Sequence, residues 1–225
     1  MELKNEHLTR QLDVIPLNCL NRQITIIGAG AVGSYSAFAL AKMGFNNITI
    51  YDFDEVDIVN LNAQIYRFSD IGKSKVEALK DIIKDFTGID LQIKNERYEN
   101  QVFKDIVIMA VDNMKTRKEI YQNHKMRGIM TNFLIDPRMA IEYAYIQAFN
   151  PMSPKEQASY ELTLFDDDNS VQERCTGKST VYTAQLIGAT IAKMVKDIAT
   201  DKSNIKRISW DIAGNVEPEI SLNIL

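Results

Sequence analysis

Apolar positions recur along the chain at two spacings. Gln23–Ile27 is a short β-branched run and predicts a buried strand; Ala31–Met43, apolar or small on most sides, predicts a helix. "NITIY", Asn47–Tyr51, reads as a second strand that ends at Asp52. Between Gly72 and Phe86 the helical period returns, with Val76, Leu79, Ile82, Ile83 and Phe86 on one face. A short strand is expected at Leu91–Ile93 and a buried one at Asp105–Val111. Asn113 suits the N-cap of a helix running to about Lys125, and Gly128–Ile135 gives another strand. This β-α-β alternation predicts a doubly wound, mostly parallel sheet with helices on both faces.

The pattern then changes. Ala140–Phe149 partly alternates, as a strand with one exposed face does. Pro151 and Pro154 begin a polar stretch through "FDDDNSVQER", a crossover loop at about 150–178 that is long enough to suggest function. A helix is expected over Ser179–Ile198, where Ala184, Gly188, Ala189 and Ala192 form a narrow face for close packing on the sheet. Two strands around a Gly-Asn turn close the chain. The expected fold is a Rossmann-like α/β domain over 23–225, extended by C-terminal antiparallel strands and preceded by an N-terminal segment, 1–22.

Composition narrows the class. The 225 residues suit one domain, and 45% hydrophobic residues supply a sizeable core. A net charge of -4 without a Lys/Arg cluster gives no reason to expect nucleic acid. Two distant cysteines form no disulfide framework and suit a reducing cytoplasm. The polar start "MELKNEHLTRQ" is unlike a signal peptide, and no apolar run reaches membrane-spanning length.

Gly28, Gly30 and Gly33 match G-x-G-x-x-G between a strand and a helix. Glycines there let the backbone approach a phosphate, and the helix N-terminus supplies free N–H groups. Asp52, at the end of the second strand, suits a ribose. Both NAD and ATP meet these requirements. The next stretch separates them: it adds Asp54, Glu55 and Asp57, an amide-rich turn of Asn60, Asn62 and Gln64, then Arg67, Lys73 and Lys75. "AVDNMKTR" places Asp112 and Asn113 at the C-terminal end of a strand, where doubly wound sheets bind ligands. Carboxylates, a lysine and a phosphate cradle are what nucleotidyl transfer needs. An NAD-dependent oxidoreductase explains the first loop but not Lys75, Asp112 or the amide turn.

Four segments, "GAGAVGS", "YDFDEVDIVNLNAQ", "DIGKSKVEAL" and "AVDNMKTR", together resemble the ThiF/MoeB/HesA adenylyltransferases, relatives of the ubiquitin-activating enzymes. Weaker similarity continues through "RCTGKSTVYTAQLIGATIA". The resemblance implies ATP and magnesium as cofactors and a small ubiquitin-like protein or peptide with a C-terminal glycine-type tail as partner. The tail carboxylate attacks the α-phosphate, and an acyl-adenylate forms as pyrophosphate leaves. Gly28, Gly30 and Gly33 would then cradle the phosphates, and Asp52, with Asp54 beside it, would hold the ribose. Asn60, Gln64 and Lys75 would contact phosphates, Asp112 would bind magnesium next to Asn113, and Arg117 would help order the site. A cytoplasmic homodimer is implied, and Arg10 in "LTRQL" is a candidate to reach the partner's nucleotide.

Departures accompany the resemblance. The family writes N-L-x-R-Q, and Ala63 stands in the arginine's place; Arg67 is the candidate substitute, or else a surface residue. Two cysteines and two histidines exclude the four-cysteine structural zinc of many members. Several positions keep two readings. Asp54, Glu55 and Asp57 are site residues or a solvated loop; Asp112 is a magnesium ligand or a cap; Lys73 is more a surface charge than Lys75; Asp166–Asp168 read as a solvated loop tip. Cys175 either links covalently to the activated partner or is inert. "CTGKST" imitates a P-loop but has Gln172 where glycine is required. The alternative function is a non-catalytic nucleotide-binding scaffold or partner subunit of the same fold.

Overall fold

The computed structural model describes residues 6–127, 130–166, 179–202, 205–214 and 218–222. One eight-stranded sheet runs in the order β3-β2-β1-β4-β5-β6-β7-β8. The strands are β1 (Ile24–Ile27), β2 (Ile48–Tyr51), β3 (Gln92–Lys94), β4 (Asp105–Met109), β5 (Thr131–Ala140), β6 (Tyr143–Phe149), β7 (Ile205–Asp211) and β8 (Glu219–Leu222). The first five pair in parallel, and β5 through β8 pair antiparallel. This is the mixed, Rossmann-like sheet expected from the sequence.

Strand periodicity assigns the helices to faces. Ile24, Ile26, Ile48, Ile50, Ile106 and Ile108 share one core with α1 (Ala31–Lys42), α2 (Lys75–Thr87) and α5 (Val181–Ala199). The intervening Ile27, Tyr51, Val107 and Met109 share the other with Ile120 and Tyr121 of α3 (Met114–Arg127) and Tyr160 of α4 (Pro154–Glu161). The N-terminal segment packs on the first core through Leu8, Ile15 and Leu20.

Four features differ from the sequence expectation, each for a local reason. Helix α2 starts at Lys75, not Gly72, because Gly72 adopts φ +80° and donates to the Val56 carbonyl. Strand β5 runs through Pro137 to Ala140. Strand β4 pairs only as far as Ile135, and the Pro137 carbonyl faces Arg117 on that vacated side, so the missing N–H breaks no ladder bond. Helix α4 forms inside the expected loop because Pro154 sits in its first turn, where proline's missing N–H costs nothing. The small-residue face of α5 meets α1: a Cβ on Gly188 would stand 2.8 Å from that of Tyr35. No helix among the described residues is long and apolar enough to cross a membrane.

His124 on α3 is fully buried and ties α3 to the segment before β4. Its Nε2 accepts the Phe103 N–H at 3.1 Å, so Nδ1 carries the proton and donates to the Ile120 carbonyl at 2.8 Å. Burial holds its pKa below the ordinary histidine value. The unfolded chain therefore takes up the proton first. The stabilisation is fully present above about pH 6.5 and is lost as pH falls through the lowered folded value. Melting temperature should begin to drop as pH falls below about 6.5, above the range in which ordinary carboxylates titrate. His124→Gln should flatten that drop; an unchanged pH dependence in the variant would contradict this assignment.

Candidate nucleotide site

The loop from β1 to α1 carries the three glycines, each with a different task. Gly28 adopts φ +100°, and a Cβ there would strike the Ala110 carbonyl at the end of β4. A Cβ on Gly33 would strike the Gly28 carbonyl. Around Gly30, the N-cap of α1, a Cβ would meet nothing within 4 Å. Two glycines therefore allow the loop to close on itself and on β4, and the third borders open space at a helix N-terminus, where an anion is favoured.

Strand β2 delivers Asp52 to this loop. One carboxylate oxygen accepts the Ala29 N–H at 2.6 Å and the other accepts the Asp54 N–H at 2.8 Å. Burial nevertheless raises its pKa above the usual carboxylate value, against the pull of the two N–H groups and Lys75. Beyond Asp52 the chain leaves the sheet and returns on itself. Glu55 bridges Ser74, Val56 accepts from Gly72, and the Lys75 N–H donates to the Asp54 carbonyl. This zipper buries Lys75 to 7% exposure and sets its Nζ 2.9 Å from an Asp54 oxygen. Asp52, Asp54 and Lys75 thus gather beside the glycine loop.

The amide turn lies between the two halves of the zipper. Asn60 closes a capping box with Asp57, and Asn62 donates to the Ser179 carbonyl at the entrance to α5. The Oε1 of Gln64 is buried and has no hydrogen-bond partner among the described residues. Such an atom carries a desolvation cost until a donor arrives. Ala63 is 1% exposed. Arg67 is engaged elsewhere: its guanidinium binds Asp70, which is fully buried, at 2.9 Å and Asp85 of α2 at 3.2 Å. That engagement differs from the expectation that Arg67 replaces the missing arginine. Lys73 also binds Asp70, at 3.0 Å.

Past the end of β4, Asp112 and Asn113 are exposed. Asn113 accepts the Thr116 N–H at 2.8 Å, as a helix cap does, and donates to Asp112. Asp112 offers one carboxylate at the crevice, which is the usual protein share of a magnesium ion completed by phosphates and water. Among the described residues no three His, Cys, Asp or Glu side chains gather as a metal site. Arg117 lies inside, 5% exposed, donating to the Met109 and Val111 carbonyls and to Asp136. It props the end of β4 from beneath. Arg138 at 2.7 Å and the Tyr160 hydroxyl at 3.0 Å also converge on the fully buried Asp136.

Sequence reasoning missed Asp136 and Tyr66. The Tyr66 hydroxyl donates to the Ala29 carbonyl at 2.6 Å across 37 residues of chain, a distance no local pattern spans. For Asp136 the hint was an acidic residue inside an apolar strand. Asp167, Asp168 and Cys175, with the first four residues of "CTGKST", lie outside the described residues. Asp166 binds Lys118 at 2.5 Å. Arg10 is exposed in the N-terminal turn Glu6–Gln11.

The profile of the ThiF family matches residues 17–213. Over 122 residues the chain is 36% identical to a NEDD8-activating enzyme E1 catalytic subunit of Dictyostelium discoideum, covering 50% of this chain and 26% of that protein. It is 41% identical over 117 residues to a tRNA threonylcarbamoyladenosine dehydratase of Bacillus subtilis, covering 48% and 44%. Both matches span less than half of the relative. Among solved structures, E. coli MccB with AMPCPP and MccA aligns at a TM-score of 0.74 and 18% identity, covering 93% of this chain and 66% of that one. PaaA aligns at 0.77 and 15%, covering 99% and 74%. At these identities the structures establish the shared fold.

The Asp136 network yields a direct stability test. Asp136→Ala leaves two guanidinium groups converging without their carboxylate. It should destabilise the chain by about 3–5 kcal/mol, as removal of one partner from a buried pair does, measured as a fall in denaturant midpoint. A change below about 1 kcal/mol, the range of an exposed pair, would contradict the structural role given to this network.

Proposed function

The chain belongs to the ThiF family, and from that premise we propose that it adenylates the C-terminal carboxylate of a small ubiquitin-like protein or peptide, using ATP. A carboxylate oxygen attacks the α-phosphorus. The bond from that phosphorus to the oxygen bridging the β-phosphate breaks, and its electron pair leaves with pyrophosphate. The acyl-adenylate remains. The relatives named for activating NEDD8 and SUMO support a small-protein substrate.

Each residue has a task in this scheme. Gly28, Gly30 and Gly33 form the cradle at the N-terminus of α1, and the backbone N–H groups there face the phosphates. Asp52 accepts from the ribose hydroxyls with lone pairs not used by Ala29 and Asp54. Asn60 and Gln64 turn their amide N–H groups to the phosphates, and the Gln64 Oε1, which has no partner among the described residues, accepts from a ligand hydroxyl or a water. Lys75 supplies positive charge where the leaving pyrophosphate develops its own. Asn113 and Arg117 fix the end of β4 so that Asp112 faces the triphosphate. Asp112 would hold magnesium, which when bound would supply positive charge to offset that of the phosphates. A homodimer would let Arg10 serve the partner's site, and Cys175 is the candidate thiol to receive the activated acyl group.

The observation that carries this reading is Lys75, a nearly buried ammonium held between Asp54 and the glycine-loop cluster. A dinucleotide fingerprint has no use for it. A second reading, a nucleotide-binding partner subunit without turnover, is favoured by buried Ala63 and by the commitment of Arg67 to Asp70 and Asp85.

Pyrophosphate exchange decides between them. The chain, ATP, magnesium and proteins or peptides ending in Gly-Gly should incorporate labelled pyrophosphate into ATP only when a substrate tail is present. Asp112→Asn should keep the melting temperature and lose roughly a hundredfold in exchange, the scale for removing one group that stabilises transferring charge. ATP binding with no exchange on any partner would establish the partner-subunit reading instead.

A further inference from the structure

The peptide between Ala29 and Gly30 is held by a side chain that no site motif contains. The Tyr66 hydroxyl, on a residue 6% exposed, donates to the Ala29 carbonyl at 2.6 Å. The chain has no cis peptide among its described residues, so the Gly30 N–H points opposite to that carbonyl. Opposite lies the open side of the loop, where a Cβ on Gly30 would meet no atom within 4 Å. The preceding peptide is fixed in the same manner. Its N–H, from Ala29, donates to Asp52, and its carbonyl, from Gly28, lies against Gly33.

We propose that Tyr66 is a positioning residue that aims the Gly30 N–H at the nucleotide phosphates. This rests on the reading of the loop as an ATP site. Tyr66 acts through Ala29 and touches no substrate. It stands two residues after Gln64, so one turn carries the buried amide and also fixes the peptide of the opposing loop. Burial, with the charges of Asp52, Asp70 and Asp54 nearby, keeps the phenol protonated and therefore a donor. Without the hydroxyl, the Ala29–Gly30 peptide plane is free to rotate, and the N–H spends part of its time turned away from the open side. The cost then falls on ligands that carry phosphates and spares the nucleoside.

Isothermal titration of wild type and Tyr66→Phe with ATP and with adenosine tests this. The ring stays, so packing is kept. Wild type should bind both ligands. Tyr66→Phe should lose about tenfold in ATP affinity, the scale of one hydrogen bond, with adenosine affinity unchanged. Equal loss for both ligands, or unchanged ATP affinity, overturns the proposal while the ATP site stands. A wild type that binds no ATP removes the proposed function and this inference with it. One measurement needs no variant: in wild type, the Gly30 amide proton resonance should shift with ATP and not with adenosine. A Gly30 amide that ignores ATP overturns the proposal whatever the stability of Tyr66→Phe.

Discussion

The Asp52 carboxylate joins three parts of the chain, and the site depends on that junction. Through Ala29 it holds the loop after β1, and through Asp54 it starts the segment that leaves β2. The zipper between Asp54–Val56 and Gly72–Lys75 follows from that start and encloses the amide turn. Burial disfavours the charge on Asp52, and the backbone N–H groups and Lys75 oppose that cost. A charged, partly desolvated carboxylate beside a glycine loop is poorly explained by stability alone.

The second support lies under the sheet edge. Strand β4 ends where the ligand crevice begins, and its last carbonyls would be left without strand partners. Arg117 accepts that task from α3, and Asp136 on β5 fixes Arg117 in turn. The strand that passes Pro137 thus does more than extend the sheet. It places a buried carboxylate level with the open end of β4, so antiparallel extension and parallel core meet at one ion pair.

How much of this the sequence revealed depends on the range of each signal. Strands β1, β2 and β4 announce themselves as β-branched runs, and the glycines announce the loop between β1 and α1. The cap at Asn113 is equally local, one residue and its third neighbour. Helix α4 was hidden because Pro151 and Pro154 read as loop markers, although a proline in the first turn is compatible with a helix. Tyr66 was invisible for a different reason: its partner is a backbone carbonyl 37 residues away. Arg67 was legible as a charge but not as a committed one, since Asp70 and Asp85 claim it only once the turn and α2 are folded.

On the proposed reading, this loop, completed by Lys75 and the amide turn, takes ATP and not a redox dinucleotide. Thermal unfolding with each ligand tests it most directly, because only a ligand bound by the native state stabilises that state. ATP with magnesium should raise the melting temperature saturably, reaching about 2.7 kcal/mol at a hundred times its dissociation constant. NAD at matched concentration should leave the transition where it is. Equal stabilisation by NAD would contradict the account.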